Sequence, residues 1–387
     1  MDSKKTVTVN IVNRDYPPYK GITGESAAEL AKYLIKSGFQ VNVIHTDAPF
    51  WGINNSVPAG NIYKVKTLYY GKNRLLRLFA NLLSGYFLIK KSKKIPSDVT
   101  VVMTDPSLLN MWASLLLKKG KWILWAMDLY PEAFAAGKLV STDNFLFKKS
   151  YRLTVKNEPR KIIALGPLQA DHLKERYENR VTDFVCLPCG IYNAAEYAPV
   201  DRPQWANDLT KIYIGYCGNL GHSHSMELLY TVADNLDADK FKFVLSVYGL
   251  RAQELKQYMQ GKKGVEFIPF VERSHLNFID IHIASLLPQW THISVPSKTV
   301  SSVCSGSAFL FYGKEDSDNW FLLKEAGWLI PYGENIHRGV TSFFQQFDVN
   351  DLEHKKAAAQ KIAEKLNTDK IKAFQAIEAN IQNLTVK

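Results

Sequence analysis

Short apolar, β-branched runs alternate with segments of helical period along almost the whole chain. Thr6 to Val12 reads as a strand, Glu25 to Ser37 as a helix, and Gly38 as a C-cap before the strand Gln40 to His45. The alternation continues with strand Val99 to Thr104, helix Leu108 to Lys118, strand Trp122 to Ala126, strand Lys161 to Leu165 and helix Pro167 to Tyr177. Strands this short and this uniformly apolar are buried on both faces, as in a parallel sheet covered by helices. Between Pro188 and Pro203 the periodicity lapses into Pro-Cys-Gly-Ile-Tyr-Asn and Ala-Pro-Val-Asp-Arg-Pro, a loop and linker composition. It then restarts with strand Lys211 to Tyr216, helix Ser225 to Asn235, strand Lys242 to Tyr248, helix Ala252 to Gln260 and strand Val265 to Ile268. Helix His275 to Asp280, strand Ile283 to Leu287, helix Ser297 to Ser305, strand Ala308 to Tyr312 and helices Asp351 to Ala363 and Thr368 to Leu384 complete the pattern. The pattern predicts an α/β protein of two doubly wound parallel sheets, in domains 1–200 and 201–365. They are expected to face each other, with ligands at the carboxyl ends of the strands where they meet.

Length agrees, since 387 residues exceed what one core usually organises and suit two domains of roughly 150–200 residues each. The 46% hydrophobic and 12% aromatic content is enough for two cores and excludes long disorder. Cys186, Cys189, Cys217 and Cys304 are too few and too scattered for a disulfide framework. The pair Cys186-x-x-Cys189 lacks the second pair or His-x-x-x-His that a zinc site needs, so buried thiols in a reducing cytoplasm are expected. Met1 to Lys5 is polar and leads straight into the first strand, which predicts no secretory leader.

The net charge of +11 favours anionic partners. Part of it flanks the longest apolar run, Leu78 to Ile89, which is short of the ~20 residues that span a bilayer. Lys72, Arg74 and Arg77 precede that run and Lys90, Lys91, Lys93 and Lys94 follow it, so Asn73 to Lys91 reads as a basic amphipathic helix. Such a helix is either a domain helix with solvated basic ends or an element lying on an anionic membrane surface. No nucleic-acid-binding motif accompanies the charge, so nucleic acid is not an expected partner.

Four loops sit after predicted strands and at helix starts, where free N–H groups and the helix dipole favour an anion. Tyr16-Pro-Pro-Tyr-Lys-Gly-Ile-Thr-Gly24 carries Gly21 and Gly24, which either let the backbone approach a ligand closely or serve a plain turn. Trp125 to Glu132 carries Asp128 and Glu132, which can orient sugar hydroxyls or accept a proton, or else act as a helix cap and a surface acid. Gly215 to Ser225 brings Gly218, Asn219, Gly221, His222 and His224 ahead of a helix, a composition suited to a phosphate cradle or a structural turn. With no matching Asp or Glu nearby, these histidines predict no metal site. Pro296-Ser297-Lys298 opens the fourth helix, and a lysine in a first turn is at the wrong end of the dipole unless an anion sits there.

Taken in order, these segments resemble the retaining glycosyltransferases grouped as family four, in particular those of bacterial surface-polysaccharide synthesis. Pro17-Pro18 with Gly21 and Gly24, Thr104-Asp105-Pro106, Asp128-Leu129-Tyr130-Pro131-Glu132, Pro188-Cys189-Gly190-Ile191-Tyr192, Gly218-Asn219-Leu220-Gly221 and Pro296-Ser297-Lys298 to Gly306 carry the resemblance from about Val9 to Gly333. It implies a GT-B fold of two facing Rossmann-like domains, with a C-terminal helix, 366–387, returning to the first. It implies metal-independent, retaining transfer from a nucleotide-diphosphate-sugar to a glycan or lipid-linked acceptor without a cofactor, and the basic segment Asn73 to Lys94 separately predicts attachment to the cytoplasmic face of the cell membrane. Gly218 to Gly221 and Lys298 would hold the diphosphate with Ser297 nearby, Gly21 and Gly24 would approach it, and Asp128 would face sugar or acceptor. The chain departs from the family pattern in three places. The stretch Asn219 to Ser225 has neither the usual Arg nor Lys, so that His222 or His224 would substitute. Ser301 stands where a ribose-binding Glu is common, and the segment Gln289 to Ser294 lacks the usual acid. These departures keep open a non-catalytic membrane- or partner-binding subunit and a sugar-nucleotide epimerase on the same fold.

Overall fold

A computed structural model describes residues 6–47, 52–53, 56–69, 71, 73–196 and 200–385. Met1 to Lys5, Lys72, residues 197–199 of the linker and the side chains of Arg74 and Leu75 lie outside the described residues. The chain divides into two compact units, residues 1–189 with 370–387, and residues 190–369.

The first unit runs β1 (Thr8–Val12), α1 (Ile22–Lys36), β2 (Gln40–Thr46), β3 (Asn61–Val65), α2 (Arg74–Ser92), β4 (Val99–Val102), α3 (Leu109–Leu116), β5 (Trp122–Trp125), α4 (Glu132–Ala136), α5 (Phe145–Thr154), β6 (Lys161–Ala164), α6 (Pro167–Arg176) and β7 (Phe184–Cys186). Among the described residues its strands form one sheet in the order β3-β2-β1-β4-β5-β6-β7, with every neighbour parallel. β4, β5 and β6 are buried along their whole length, which is why they read as unbroken apolar runs. The order reverses between β1 and β4. Crossovers are right-handed, so the reversal puts α1 on one face of the sheet and α2, α3 and α5 on the other.

The second unit runs β8 (Ile212–Asn219), α7 (Met226–Asp234), β9 (Phe241–Tyr248), α8 (Ala252–Met259), β10 (Val265–Phe267), β11 (Ile281–Ser285), α9 (Ser297–Cys304), β12 (Ala308–Gly313), α10 (Asp318–Leu323), β13 (Gly327–Pro331), α11 (Ile336–Gln345) and α12 (Val349–Thr385). Its sheet, β10-β9-β8-β11-β12-β13, is also parallel throughout and reverses between β8 and β11. Both units are therefore Rossmann-like, with a topological switch point where such sheets bind ligands.

Two readings of the sequence change. His275 to Asp280 is not an α-helix but a short 3-10 stretch, Arg273–Phe278, because the Leu276 carbonyl is taken by the Ile279 N–H and by His282 Nε2. The two expected C-terminal helices are one, α12, without a break near residue 365. Asn367 and Thr368, residues that favour caps and turns, instead bond back to the carbonyls of Ala363 and Glu364 inside the helix. From Lys370 on, α12 belongs to the first unit, where Lys370 pairs with Glu29, Glu378 accepts from the Tyr33 hydroxyl at 2.7 Å and Asn380 bonds Asp183. Among the described residues no helix is long and apolar enough to cross a membrane.

Ile377 and Ile381 are fully buried on that final stretch. Ile381→Ala should lower the urea midpoint of the first unit's transition by an amount equivalent to about 2–4 kcal/mol. An unchanged midpoint would mean that the returning helix does not contribute to that unit's stability.

Candidate functional site

The switch point of the second unit is open by construction. β8 and β11 pair only through Ile281 with Ile214 and His282 with Gly215. Beyond that register β8 stays paired to β9 as far as Asn219, whereas β11 follows β12, so the carboxyl parts of β8 and β11 separate. Lys298, from the first turn of α9, enters this region. Its Nζ stands 5.4 Å above the Tyr216 ring, a cation–π contact, and its Cε would lie 3.0 Å from a Cβ added at Gly218. Gly218 has φ +122 and so sits where a side chain would be strained as well as crowded. The glycine lets the lysine lie along the strand end.

His224 fixes the lysine from the other side. The ring is buried; Nδ1 lies 2.8 Å from the Ser285 carbonyl and Nε2 lies 3.0 Å from Lys298 Nζ. A carbonyl can only accept, so Nδ1 carries the proton and Nε2 accepts from the ammonium. Burial, and then the positive charge of Lys298, lower the His224 pKa to about 3 against the opposing bond to Ser285, which keeps the ring neutral. The Ser285 hydroxyl accepts from the Ser225 N–H at 2.9 Å, and Ser225 caps α7 by accepting from Leu228. The loop is thus tied across the switch point. Asn219 packs against Gly249, where an added Cβ would collide with its Oδ1, and its carbonyl accepts from the Tyr216 hydroxyl at 3.0 Å.

The first unit closes its switch point with charges. Arg14, just past β1, donates its N–H to the Asp105 carbonyl and pairs its guanidinium with Asp105 at 3.0 Å and Asp15 at 3.4 Å. Burial opposes the Arg14 charge, yet the two carboxylates outweigh it and raise its pKa. The close approaches permitted by Gly21 and Gly24 are to Asp15: a Cβ at Gly24 would lie 2.8 Å from the Asp15 carbonyl and one at Gly21 3.2 Å from its carboxylate. Asn13 Nδ2 ties the same turn together by donating to the Asp15 carbonyl and to Thr23 Oγ1.

Asp128 follows β5 in a braced, half-buried turn. Met127 N–H donates to Thr104 Oγ1, Gln169 donates to the Met127 carbonyl, and Asn110 and Arg176 donate to the Tyr130 carbonyl. Burial, and then the Asp128 charge, push the Tyr130 phenol up, so the two residues share one environment. Glu132 is placed differently. Its carboxylate is buried in the first turn of α4 and pairs with the buried Arg176 at 3.1 Å.

Of the residues singled out in the sequence, Gly218, His224 and Lys298 come together, and Asn219 adjoins them. Ser297 and Ser301 line α9 against Gly190, where Ser301 Oγ donates to the Gly190 carbonyl at 3.2 Å and an added Cβ would meet the Ser297 carbonyl at 2.8 Å. His222 is exposed and Gly221 half-buried on the loop before α7. Cys189 is a buried free thiol beside Met127 and Ser26, pushed up to about 12 by burial, whereas Cys186 is exposed. Among the described residues no group of three His, Cys, Asp or Glu could hold a metal ion. Sequence reasoning overlooks Tyr216, Ser285, Gly249, Arg14 and Asp15. The available signal for the last pair is a charged couple, Arg14-Asp15, placed directly after an apolar strand.

The same architecture occurs in solved glycosyltransferases. The chain superposes on WaaG, described as a glycosyltransferase involved in lipopolysaccharide biosynthesis, with a TM-score of 0.68 and 12% identity over 92% of this chain and 95% of that one. Sucrose-phosphate synthase of Thermosynechococcus elongatus gives a TM-score of 0.72 at 12% identity, over 98% and 100% of the two chains. HepE of Anabaena, solved in complex with UDP and glucose, gives 0.64 at 12% identity, over 96% and 100%. The likeness is one of fold, and the fold is GT-B. No family model matches the sequence, and no curated protein does.

His224, His45 and His282 are buried and held low, His224 at about 3 and the others at about 4, in each case first by burial. An unfolded histidine binds its proton near pH 6.5, so below that pH the unfolded chain takes up protons that the fold refuses. Stability is therefore full above about pH 6.5 and should fall by about 1.4 kcal/mol per pH unit for each such ring down to about pH 4. Urea unfolding between pH 7 and 5 measures this slope. His282→Gln, which keeps a donor near the Leu276 carbonyl, should flatten it by about 1.4 kcal/mol per unit; an unaltered slope would contradict the assignment.

Proposed function

We propose that this chain is a glycosyltransferase that takes a sugar from a nucleotide-diphosphate-sugar bound to the second unit. One observation carries the reading: an ammonium, Lys298, held over an aromatic ring and against a glycine at the open switch point of a Rossmann-like sheet. Negative charge develops on the diphosphate as the glycosidic bond breaks. A fixed cation, a helix start and the main chain of Gly218 to Gly221 stabilise that charge without reorganising at the moment of reaction. His224 serves by keeping Lys298 in place, and His222, exposed beside the same loop, is a further donor to phosphate. Ser301 fixes α9 to the Gly190 loop, so the ribose contact that a Glu would make there is supplied elsewhere.

On the first unit, Asp128 is the group that orients the sugar or accepts the acceptor's proton. Glu132 supports it by holding Arg176, which in turn braces the Tyr130 carbonyl. The acceptor is a glycan or a lipid-linked saccharide of polysaccharide or glycoconjugate synthesis. Transfer is retaining and metal-independent, with Lys298 taking the electrostatic part a divalent cation would otherwise play. The outward apolar residues of α2, among them Phe79, Leu83 and Phe87, with Lys90, Lys91, Lys93 and Lys94 beyond, hold the enzyme on the inner face of a cell membrane.

The test is binding and turnover with a panel of nucleotide-diphosphate-sugars in the presence of EDTA. Lys298→Ala should weaken binding of the preferred donor roughly tenfold to a hundredfold, as expected for loss of a charged hydrogen bond. Binding unaffected by the substitution would remove the phosphate assignment. Turnover abolished by EDTA would remove metal independence.

A further inference from the structure

α2 is not the only place where large apolar side chains point to solvent. Leu139, Phe145 and Leu146 are 69%, 71% and 68% exposed, as much as Phe79 on α2 at 68%. These three are held outward by ordered structure. The Asn144 side chain caps α5 by accepting from the Leu146 N–H at 2.8 Å, and Leu139 N–H closes the end of α4 on the Phe134 carbonyl at 2.8 Å. Their surroundings are basic: Lys138, Lys148, Lys149, Arg152 and Lys156 are exposed, against one nearby acid, Asp143, which pairs with Lys148.

The topology puts this tip in the same helical layer as α2, with α3 between them. α2 packs on α3 and α3 on α5, and Trp112 of α3 donates its Nε1–H to the Leu82 carbonyl at 2.8 Å. All three helices lie on the same face of the first unit's sheet. Crossover helices run back against their strands, so their first turns gather at the carboxyl edge. Leu76 and Phe79 of α2 and Phe145 and Leu146 of α5 therefore occupy one edge of one helical layer, the edge from which the Asp128 turn also emerges. A scattered exposed leucine carries no information, but two apolar clusters on one edge, the second of them set among exposed lysines and an arginine, match the amphipathic boundary of an anionic bilayer.

We infer that Leu139, Phe145 and Leu146 form a second lipid-inserting point, so that the first unit docks on an anionic membrane through two apolar ridges rather than one. This rests on the membrane reading of α2 given above. Two anchors fix orientation as well as attachment. They turn the carboxyl edge of the sheet, with Asp128, toward the headgroups, where the saccharide of a lipid-linked acceptor is found.

The experiment is flotation of the full chain with phosphatidylcholine vesicles containing about a quarter phosphatidylglycerol. It compares wild type, Phe145→Ser with Leu146→Ser, and Leu76→Ser with Phe79→Ser, each checked by thermal melting. Each double substitution should lower the partition coefficient roughly tenfold, because the buried area of two large apolar side chains is lost. Phe145→Trp, which keeps an aromatic ring in place, should shift its emission to the blue on the same vesicles. If wild type floats, the α2 pair abolishes flotation, the α5 pair floats as wild type does and the Phe145→Trp emission is unchanged by vesicles, the second point is overturned and the α2 reading stands. If wild type does not float, both fall, and the exposed clusters serve a protein partner.

Discussion

Parallel strand pairing is the constraint on which the rest of this structure depends. Two parallel neighbours cannot be joined by a tight turn, so each strand must hand the chain to a crossover, most often a helix, that returns to the other end of the sheet. Every loop between a strand and its helix then falls on one edge, and the residues next to a reversal of strand order are left with no crossover lying over them. In both units a cluster of polar and charged residues sits there. Arg14, Asp15 and Asp105 lie at the β1/β4 reversal, and Lys298, His224 and Ser285 at the β8/β11 reversal.

The two reversals are closed by different chemistry. In the first unit an arginine between two carboxylates is neutralised locally, which makes it a support for the turns around it. In the second, Lys298 donates to a neutral imidazole and lies over an aromatic face. Burial, and then the charge of Lys298, hold the His224 pKa down at about 3, so the ring beside the lysine is neutral. The lysine lies along the strand end against Gly218, whereas the Arg–Asp cluster fixes the turns around it.

Much of the fold is legible because buried central strands have no polar face to confuse the pattern: Val99–Val102 and Trp122–Trp125 announce themselves as apolar runs. The strands that the pattern does not reveal are Asn61–Val65 and Phe184–Cys186, at the two edges of the first sheet, and Gly327–Pro331, at one edge of the second. All three mix polar or half-exposed positions into the run. The C-terminal helix is misread for a local reason, since Asn367 and Thr368 look like caps until their side chains are seen bonding within the helix. At the site, Lys298 is legible because a lysine in a first turn contradicts the helix dipole. His224's part as the lysine's holder is not, because it depends on Ser285, 61 residues further along the chain, meeting it across the reversal.

The central claim is that the cation at the second unit's reversal receives the diphosphate of a sugar nucleotide. A crystal structure of the full chain soaked with uridine diphosphate in metal-free buffer examines it most directly. The account predicts the diphosphate within about 3 Å of Lys298 Nζ and of main-chain N–H groups between Gly218 and Gly221, with His224 still bonded to Ser285. Diphosphate bound away from Lys298, or bound there only through a metal ion, would contradict it.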